Sequence, residues 1–338
     1  MNYLNSSTMS ELVLGIETSC DDTAVAIVDS NGQVLSSVIS SQLDVHNSFG
    51  GIYPEFAARA HIISIIPTIH EAITRAGITP EQITAIGVTR GPGLISSLLV
   101  GLNTAVGLGI GWNKKVIGIN HLRGHLRSAD LEQQRVKYPA IILLVSGGHT
   151  FLAYMESTTN IQLLGSTRDD SVGETYDKVG RMLGLGYPGG PAVDKLAYKG
   201  KPTIDFPKPL LHSGLEFSFS GLKSAVSRYL DGCDNPVYED VAASFVHAVM
   251  DVLIKKSRLA IRKYPIKSFA IVGGVAASPQ LRAAAAKLCQ DLKVELSLPP
   301  IRWSTDNGAM IALATFDYLN LGIMKEPVPE LHLTISDF

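Results

Sequence analysis

Two histidines four residues apart are the first candidates for chemistry in this chain. His121 and His125 follow Asn120, a residue typical of helix N-caps. Positions i and i+4 share one face of a helix, so both imidazoles could bind one divalent metal. Asp306, between an apolar run and a predicted helix, is the candidate carboxylate ligand. The alternative is a pair of ordinary core or surface histidines.

Two polar turns between apolar runs are the second candidate feature. The first turn contains Asp21 and Asp22, and the second is Ser146-Gly-Gly-His-Thr150. Glycine and hydroxyl residues in such turns offer backbone N–H groups to an anionic ligand. Two aspartates would repel a bare phosphate, so they indicate a metal or an amine nearby. Turns of this composition also join ordinary hairpins. The flanking runs are 12–16, 24–28, 140–145 and 151–155.

Residues 184–189 match the pattern GxGxxG, and they overlap a glycine- and proline-rich run at 187–191. The pattern follows a predicted helix rather than a strand, so the Rossmann interpretation fails and a loop against a ligand is expected. Asp177 and Asp194 flank this loop, and their carboxylates could accept hydrogen bonds from ribose hydroxyls. Solvated acids at helix ends are the alternative.

Basic residues are concentrated in two segments, 114–137 around the histidine pair and 255–267, which includes Lys256. Most such runs are solvated helix faces. The first is the more interesting because it borders the proposed metal.

The elements that must hold these residues alternate between strands and helices. A further apolar run at 269–272 leads into Gly273-Gly274 and a helix through 288. The alternation predicts an α/β fold, and the repeated strand–turn–strand pattern predicts an ancient duplication with two similar lobes around a nucleotide site. Other helices are predicted at 55–76, 97–109, 173–183, 238–264 and 307–321.

Composition excludes several classes of protein. The chain has 338 residues, 46% of them hydrophobic, which is enough for two cores and rules out a disordered chain. Its net charge of -2 argues against coating nucleic acid unaided.

The three cysteines, Cys20, Cys233 and Cys289, form no CxxC pair, so a reducing, cytoplasmic setting is expected. No signal peptide is evident at the start, and the uncharged stretch 91–113 is interpreted as a tight loop and a buried helix, not a membrane span.

Taken in order, these motifs resemble the tRNA adenosine threonylcarbamoyltransferase family, over residues 12–321. The matching motifs are Gly15-Ile-Glu-Thr-Ser-Cys-Asp-Asp-Thr23, Gly50-Gly-Ile-Tyr-Pro-Glu55, Gly91-Pro-Gly-Leu94, Ser97-Leu-Leu-Val-Gly101, Asn120 to His125, Leu144-Val-Ser-Gly-Gly-His-Thr150, Gly173-Glu-Thr-Tyr-Asp-Lys178, Tyr187 to Pro191, Phe217-Ser-Phe-Ser-Gly-Leu-Lys223 and Thr305-Asp-Asn307.

The resemblance implies a two-lobed fold with a central cleft, as in actin, sugar kinases and heat-shock ATPases. The lobes would comprise residues 1–128 with 308–338, and residues 129–307, the second binding the nucleotide. The implied reaction moves a threonylcarbamoyl group from threonylcarbamoyl-AMP to the N6 amine of the adenosine 3′ of the anticodon, in tRNAs that read codons beginning with A.

The family's site residues transfer to this sequence motif by motif. One divalent metal per subunit, Fe²⁺ in the first place and Zn²⁺ in the second, would be bound by His121, His125 and Asp306, and Asp21 and Asp22 match the acidic pair of the first hairpin. The implied nucleotide-binding residues are Leu144, Val145, Ser146, Gly147, Gly148, Asp177, Gly190, Asp194 and Ser278.

Three residues depart from the family pattern. Arg123 replaces a glutamate between the metal histidines, Ser278 replaces an asparagine and Asp22 replaces a glutamate. Ser278 can still form a hydrogen bond, but its hydroxyl offers fewer donors than an amide. An arginine beside a cation is unfavourable unless it points away, for example toward RNA phosphate.

Partners follow from the same resemblance. Beyond tRNA, bacterial relatives work with a paralogous TsaB-like subunit and a TsaE-like ATPase, and mitochondrial relatives act as homodimers; no membrane is involved. The apolar helices between residues 55 and 110 are the candidate partner face, with ordinary core packing as the alternative.

Three other functions stay open: a small-molecule kinase of the same superfamily, a non-catalytic scaffold, and a metallopeptidase, which fits poorly because Leu122 stands where the HExxH glutamate belongs.

Overall fold

The computed structural model describes residues 10–43, 51–132 and 136–338. Gly50 of the motif quoted above, most of the first ten residues and part of the basic segment 114–137 lie outside these ranges.

The first half of the chain builds a five-stranded sheet in the order β3-β2-β1-β4-β5. The β1–β2 and β2–β3 pairs are antiparallel, and β4 and β5 continue the sheet in parallel. Leu14 and Ile16 face helices α1 (Pro54–Ala76) and α2 (Ile95–Trp112), while Val13 faces α9 (Gly308–Asn320) on the other side. The strands are β1 (Leu12–Glu17), β2 (Asp22–Asp29), β3 (Val34–Ser41), β4 (Ile83–Gly91) and β5 (Lys115–Asn120).

The second sheet repeats this arrangement in the order β8-β7-β6-β9-β10, with two antiparallel pairs followed by two parallel ones. Its strands are β6 (Ala140–Val145), β7 (Thr150–Met155), β8 (Ile161–Ser166), β9 (Ser268–Val272) and β10 (Glu295–Ser297). Its helices are α4 (Val172–Met182), α5 (Gly189–Ala197), α6 (Ser220–Gly232), α7 (Tyr238–Lys263) and α8 (Pro279–Leu292). The matching strand orders agree with the predicted duplication.

A short helix, α3 (His121–Arg127), joins the two halves. Leu122 and Leu126 pack against the second sheet, beside Leu144 and Val272. The opposite contact is with α9, the helix that covers the first sheet. The histidine pair therefore lies where elements of both halves meet. The predicted lobe boundaries stay a prediction.

The strongly patterned elements agree with their predictions, and the glycine-rich ones do not. Five helices lie within three residues of the predicted bounds. The expected loop at 187–191 is wrong, because Gly189, Gly190 and Pro191 form the first turn of α5. Proline is well tolerated in a first helical turn, where its missing N–H has no intrahelical partner to lose.

Helix α2 is not the buried helix that its composition predicts. Ile95, Leu99, Val106 and Ile110 are exposed along one side, Ile110 to 80%. Its length and composition alone would allow it to cross a membrane. In the structure it packs along α1 and β4, with a third of its residues buried.

Candidate metal and nucleotide site

His121, His125 and Asp306 converge at the junction of the two halves, with potential ligand atoms all within 4.8 Å of one another. Oδ1 of Asp306 lies 3.1 Å from Nε2 of His125 and 3.7 Å from Nε2 of His121. Both histidines are buried, and the carboxylate is half-buried. The structure thus brings together the three residues that the spacing and the family pattern nominate.

Local sequence explains how these side chains reach one point. The Asn120 side chain accepts a hydrogen bond from the Leu122 N–H and so begins α3 at His121. Gly124 lets α9 approach, because a Cβ there would lie 2.8 Å from Cδ1 of Ile311. Asn307 caps α9 by accepting from the Met310 N–H, which leaves the preceding Asp306 at the helix start, facing the histidines.

Glu17 is a functional candidate that sequence reasoning missed. Its side chain is fully buried at the end of β1, and its Oε2 lies 3.0 Å from Nδ1 of His121. It also accepts hydrogen bonds from Thr89 Oγ1 and the Ser19 N–H, both at 2.5 Å. A carboxylate at Nδ1 directs Nε2 of the histidine toward a metal. Its only sequence signal is an acidic residue ending an apolar strand.

The charges of this cluster are strongly coupled. Burial alone would lower the pKa of His121, but Glu17 and Asp306 raise it to about 9. Burial alone would raise the pKa of Asp306, but His121 and His125 hold it well below its ordinary value. Two carboxylates, Glu17 and Asp306, therefore surround the two imidazoles with negative charge, and this favours a bound cation.

The donor set fits a divalent transition metal. Two imidazole nitrogens and one carboxylate oxygen are common ligands of zinc and iron. Both ring nitrogens of His125 are buried without a hydrogen-bond partner among the described residues, and Nε2 lies 3.1 Å from Oδ1 of Asp306. Three protein ligands leave further coordination positions for a substrate.

A cavity of about 690 Å³ opens over this cluster, and both predicted turns line it. Asp21 and Asp22 come from the first turn, and Ser146, Gly147 and Gly148 come from the second. Burial, with Asp21 and Asp306 nearby, raises the pKa of Asp22 to about 6. The turns therefore meet at one cleft, as their repeated pattern predicts.

A second cavity of about 560 Å³ lies beside the first and shares Gly147 and Asp177 with it. Gly190, Asp194 and Ser278 line it as well. Asp194 is only 6% exposed, and its carboxylate interacts with the hydroxyls of Ser278 and Tyr176. Burial raises the pKa values of both Asp177 and Asp194.

Two predicted nucleotide contacts occupy a different environment. Leu144 and Val145 are fully buried at the end of β6, where they support the turn that begins at Ser146. Asp177 also has a structural role, because it accepts a hydrogen bond from the Gly189 N–H at the start of α5.

The Arg123 side chain points away from the metal ligands, but the expectation that it faces RNA phosphate is wrong. It is only 5% exposed. Its Nε donates to the Asp337 main-chain oxygen at 2.9 Å, and its guanidinium carbon lies 3.5 Å from the ring centroid of Phe338.

His149 is a further residue of the cleft without a predicted role. It lines the first cavity beside the two metal-site histidines. Burial, together with His121 and His125, lowers its pKa to about 4, so it is neutral at pH 7. A neutral imidazole there can accept or donate a hydrogen bond.

The motif at 217–223 is connected to the first cavity through two aspartates. Asp169 accepts hydrogen bonds from the Ser218 and Ser220 hydroxyls at 2.6 and 2.7 Å. The neighbouring Asp170 binds Lys223 at 2.6 Å and Lys178, a residue lining the first cavity, at 3.2 Å. Asp169 and Asp170 are therefore the partners that give this serine-rich motif its structural role.

Comparisons with known proteins find relatives that match most of this chain. A family model described as tRNA N6-adenosine threonylcarbamoyltransferase matches residues 33–313. The Staphylococcus haemolyticus protein of that name is 45% identical over 317 residues, 92% of each chain. The Thermosipho africanus protein of the same name is 45% identical over 330 residues, 95% of this chain and 100% of its own.

The fold has its counterpart in a solved structure, that of HypF from T. kodakarensis. The likeness has a TM-score of 0.65 at 14% identity and covers 94% of this chain and 48% of that one. It supports the fold alone, which is the two-lobed, actin-like α/β fold that the sequence predicts.

Proposed function

This chain belongs to the tRNA N6-adenosine threonylcarbamoyltransferase family, and on that premise we propose that its donor is threonylcarbamoyl-AMP. The acceptor is the N6 amine of the adenosine 3′ of the anticodon, in tRNAs that read codons beginning with A. The chain is thus a tRNA-modifying transferase, and the proposal concerns its substrates and the means of transfer.

The observation that carries the proposal is that the second cavity adjoins the first, which is lined by His121, His125 and Asp306. The second cavity, of about 560 Å³, has room for a nucleoside monophosphate, and Asp177, Asp194 and Ser278 line it. Its shared wall with the first cavity would put the acyl phosphate of the donor near the histidines. The Ser146–Gly147–Gly148 turn would then orient the phosphate through backbone N–H groups.

Transfer needs help at the amine, because the lone pair of the adenine N6 is delocalised into the ring. In the step proposed, a C–N bond forms to the carbamoyl carbon, the C–O bond to phosphate breaks, and AMP leaves. The amine proton passes to a carboxylate of the first turn. Asp22, with a pKa of about 6, suits a general base near neutral pH. Asp21 is the alternative.

His121, His125 and Asp306 would hold the metal, Fe²⁺ in the first place and Zn²⁺ in the second, which supplies Lewis-acid polarisation of the carbamoyl carbonyl when bound. Glu17 would keep His121 in the tautomer that presents Nε2 to this position. The buried Glu17 thereby contributes to the site without touching the substrate.

Docking of tRNA and of partner subunits completes the proposal. With a net charge of -2, the chain alone offers no general basic surplus for a polyanion. We therefore expect tRNA to be shared with a paralogous TsaB-like subunit, assisted by a TsaE-like ATPase, or with a second copy of this chain. The exposed apolar sides of α1 and α2 are the proposed contact.

Nucleoside mass spectrometry tests the proposal. An unmodified tRNA that reads codons beginning with A is incubated with the protein and threonylcarbamoyl-AMP, with and without the partner subunits. Threonylcarbamoyladenosine is the expected product. Its absence under both conditions, with metal bound and donor intact, would favour the kinase or scaffold alternatives.

The metal ligands are tested separately by His121→Ala. We expect this variant to lose both stoichiometric metal and transfer, because two ligands hold a divalent ion poorly. The control is His247→Ala, which changes an exposed histidine on α7. Metal content is measured by elemental analysis, and stoichiometric metal in His121→Ala would refute the ligand assignment.

A further inference from the structure

Residues 330–338, here called the strap, lie against the start of the metal-site helix. The Asn120 amide donates to the main-chain oxygens of Thr334 at 2.7 Å and Asp337 at 3.0 Å. The same side chain caps α3 through its oxygen. Asn120 therefore joins the helix that carries His121 to a segment more than 200 residues further along the chain.

Arg123 makes the second connection. Its guanidinium lies over the Phe338 ring and donates to the Asp337 main-chain oxygen. The ring in turn packs edge-on against Tyr318 of α9, with 5.2 Å between centroids. A buried cation over an aromatic face is favourable when little water reaches it. The residue that departs from the family pattern thus has a defined partner in this chain.

Arg90 fastens the other end of the strap. It binds the Glu330 carboxylate at 2.6 Å and the Phe338 main-chain oxygen at 2.8 Å, and its own carbonyl accepts from the Glu330 N–H. Gly91 permits this approach, because a Cβ there would lie 1.8 Å from the Glu330 carbonyl oxygen. The residues that follow, Pro92–Leu94, line the first cavity.

We propose that the strap orients α3, and that Asn120 and Arg123 are positioning residues for the metal ligands His121 and His125. A helix of seven residues has little stability of its own, so its orientation depends on what it packs against. The histidines point into the cleft, while Arg123 and Asn120 engage the strap. The inference rests on the proposed function, since it assumes that the triad binds a metal. The strap lies beyond residues 33–313, the part matched by the family model.

Cobalt binding tests the strap with a readout other than activity. The purified full chain, its metal removed, is titrated with Co²⁺ to obtain a Kd, and the visible spectrum of the loaded protein reports ligand geometry. The variants are Arg123→Met, which keeps length but removes the charge, and Phe338→Ala, which removes the ring. Lys263→Met is the matched control, because it removes a cation that lies 5.6 Å from the Tyr264 ring, on α7.

We expect the Kd for Co²⁺ to rise about tenfold in Arg123→Met and in Phe338→Ala, the lower end of the range typical of outer-sphere changes. The spectrum should change in both, and Arg123→Lys, which keeps a cation over the ring, should restore part of the affinity. Lys263→Met should match the wild type.

Wild-type Kd and spectrum in both strap variants would overturn the inference, even if their melting temperatures fall, because the strap would then only stabilise the fold. If the wild-type protein takes up no Co²⁺ at all, the metal-assisted function fails first and the strap inference fails with it. The two failures are therefore distinguishable in one titration.

Discussion

The carboxylates around the cleft differ in their surroundings, and this difference separates their roles. Burial would raise the pKa of Glu17, but the charge and the hydrogen bond of His121, with a second hydrogen bond from Ser19, hold it below the ordinary value. Thr89 Oγ1 donates the third hydrogen bond. Asp22 is partly buried beside Asp21, so its ionised form is disfavoured. A permanently ionised carboxylate suits the support of a metal ligand, whereas one that titrates near neutral pH suits proton transfer.

The raised pKa of Asp22 predicts a pH-dependent cost to stability. In the unfolded chain this carboxyl titrates near pH 4, and in the folded metal-free protein it titrates near pH 6. Between these values the folded state holds a proton that the unfolded state has released, so the free energy of unfolding falls as pH rises. We expect Asp22→Asn to raise the free energy of unfolding by about 1–2 kcal/mol at pH 7 and by little at pH 4.5.

Urea unfolding of chelator-treated protein at the two pH values measures this difference. Asp234→Asn, which changes an exposed carboxylate, serves as the control and should show no pH-dependent gain. An equal gain for Asp22→Asn at both pH values would show that the substitution acts through packing and not through ionisation.

For single residues, the sequence predicts the metal ligands better than the residues that hold those ligands in position. His121 and His125 are recognisable because helical spacing places them on one face, and Asp306 because of its place before a helix. Glu17 and the Arg123–Phe338 contact depend on pairings across 104 and 215 positions, which no local pattern specifies.

Among the elements, the long segment between α5 and α6 is bound at three main-chain oxygens by one buried lysine. Residues 198–219 form no helix or strand of their own. Lys256 of α7 is fully buried, and its Nζ donates to the main-chain oxygens of Leu210, Ser213 and Gly214. The interpretation of segment 255–267 as a solvated basic face is therefore wrong at Lys256.

Replacement of Lys256 should lower the free energy of unfolding. In Lys256→Met three main-chain oxygens lose a charged donor, and we expect the free energy of unfolding to fall by about 2 kcal/mol. Lys255→Met is the matched control, because the neighbouring ammonium contacts His212 at the surface. Urea unfolding measures both variants, and equal losses in the two would contradict the assigned role.

Element prediction succeeds where side-chain periodicity is long and fails where backbone conformation decides. Helices α1 and α7 have sustained apolar patterns and agree with their predicted bounds. The first turn of α5 contains two glycines and a proline, a composition that predicts a loop. The turn is helical in the structure, where the Asp177 carboxylate accepts a hydrogen bond from its first N–H. That partner lies 12 positions away, outside any local window.

For the whole molecule, the repeated topology explains why one cleft collects residues from distant parts of the chain. In each sheet the turn after the first strand of the repeat faces the cavity, so Asp21 and Ser146 occupy corresponding positions. Helices α3 and α9 contact each other where the halves meet, which brings Asp306 to the histidines. The repeated strand pattern made the two-lobed fold predictable, whereas the exact contact between the halves required tertiary structure.

The same architecture leaves an apolar surface that no element of the described residues covers. Helices α1 and α2 pack together, and each exposes large aliphatic side chains on its outer side. Ile63 is 76% exposed and Ile110 is 80% exposed. Clusters of this kind on folded proteins mark interaction surfaces. The partner face predicted from composition stays a prediction, and exposed aliphatic side chains on both helices are what it rests on.

Association through this surface should be sensitive to a single charge. A buried glutamate without a partner is strongly disfavoured, so Ile63→Glu or Ile110→Glu should weaken binding of the paralogous TsaB-like subunit at least about a hundredfold. Leu259→Glu, at an exposed leucine on α7, should bind like the wild type. Sedimentation velocity of the mixed subunits measures the association, and Co²⁺ uptake by each variant verifies that the cleft is intact. Normal association of both isoleucine variants would place the partner on another surface. It would leave the proposed metal and nucleotide chemistry untouched, because neither isoleucine lines the two cavities.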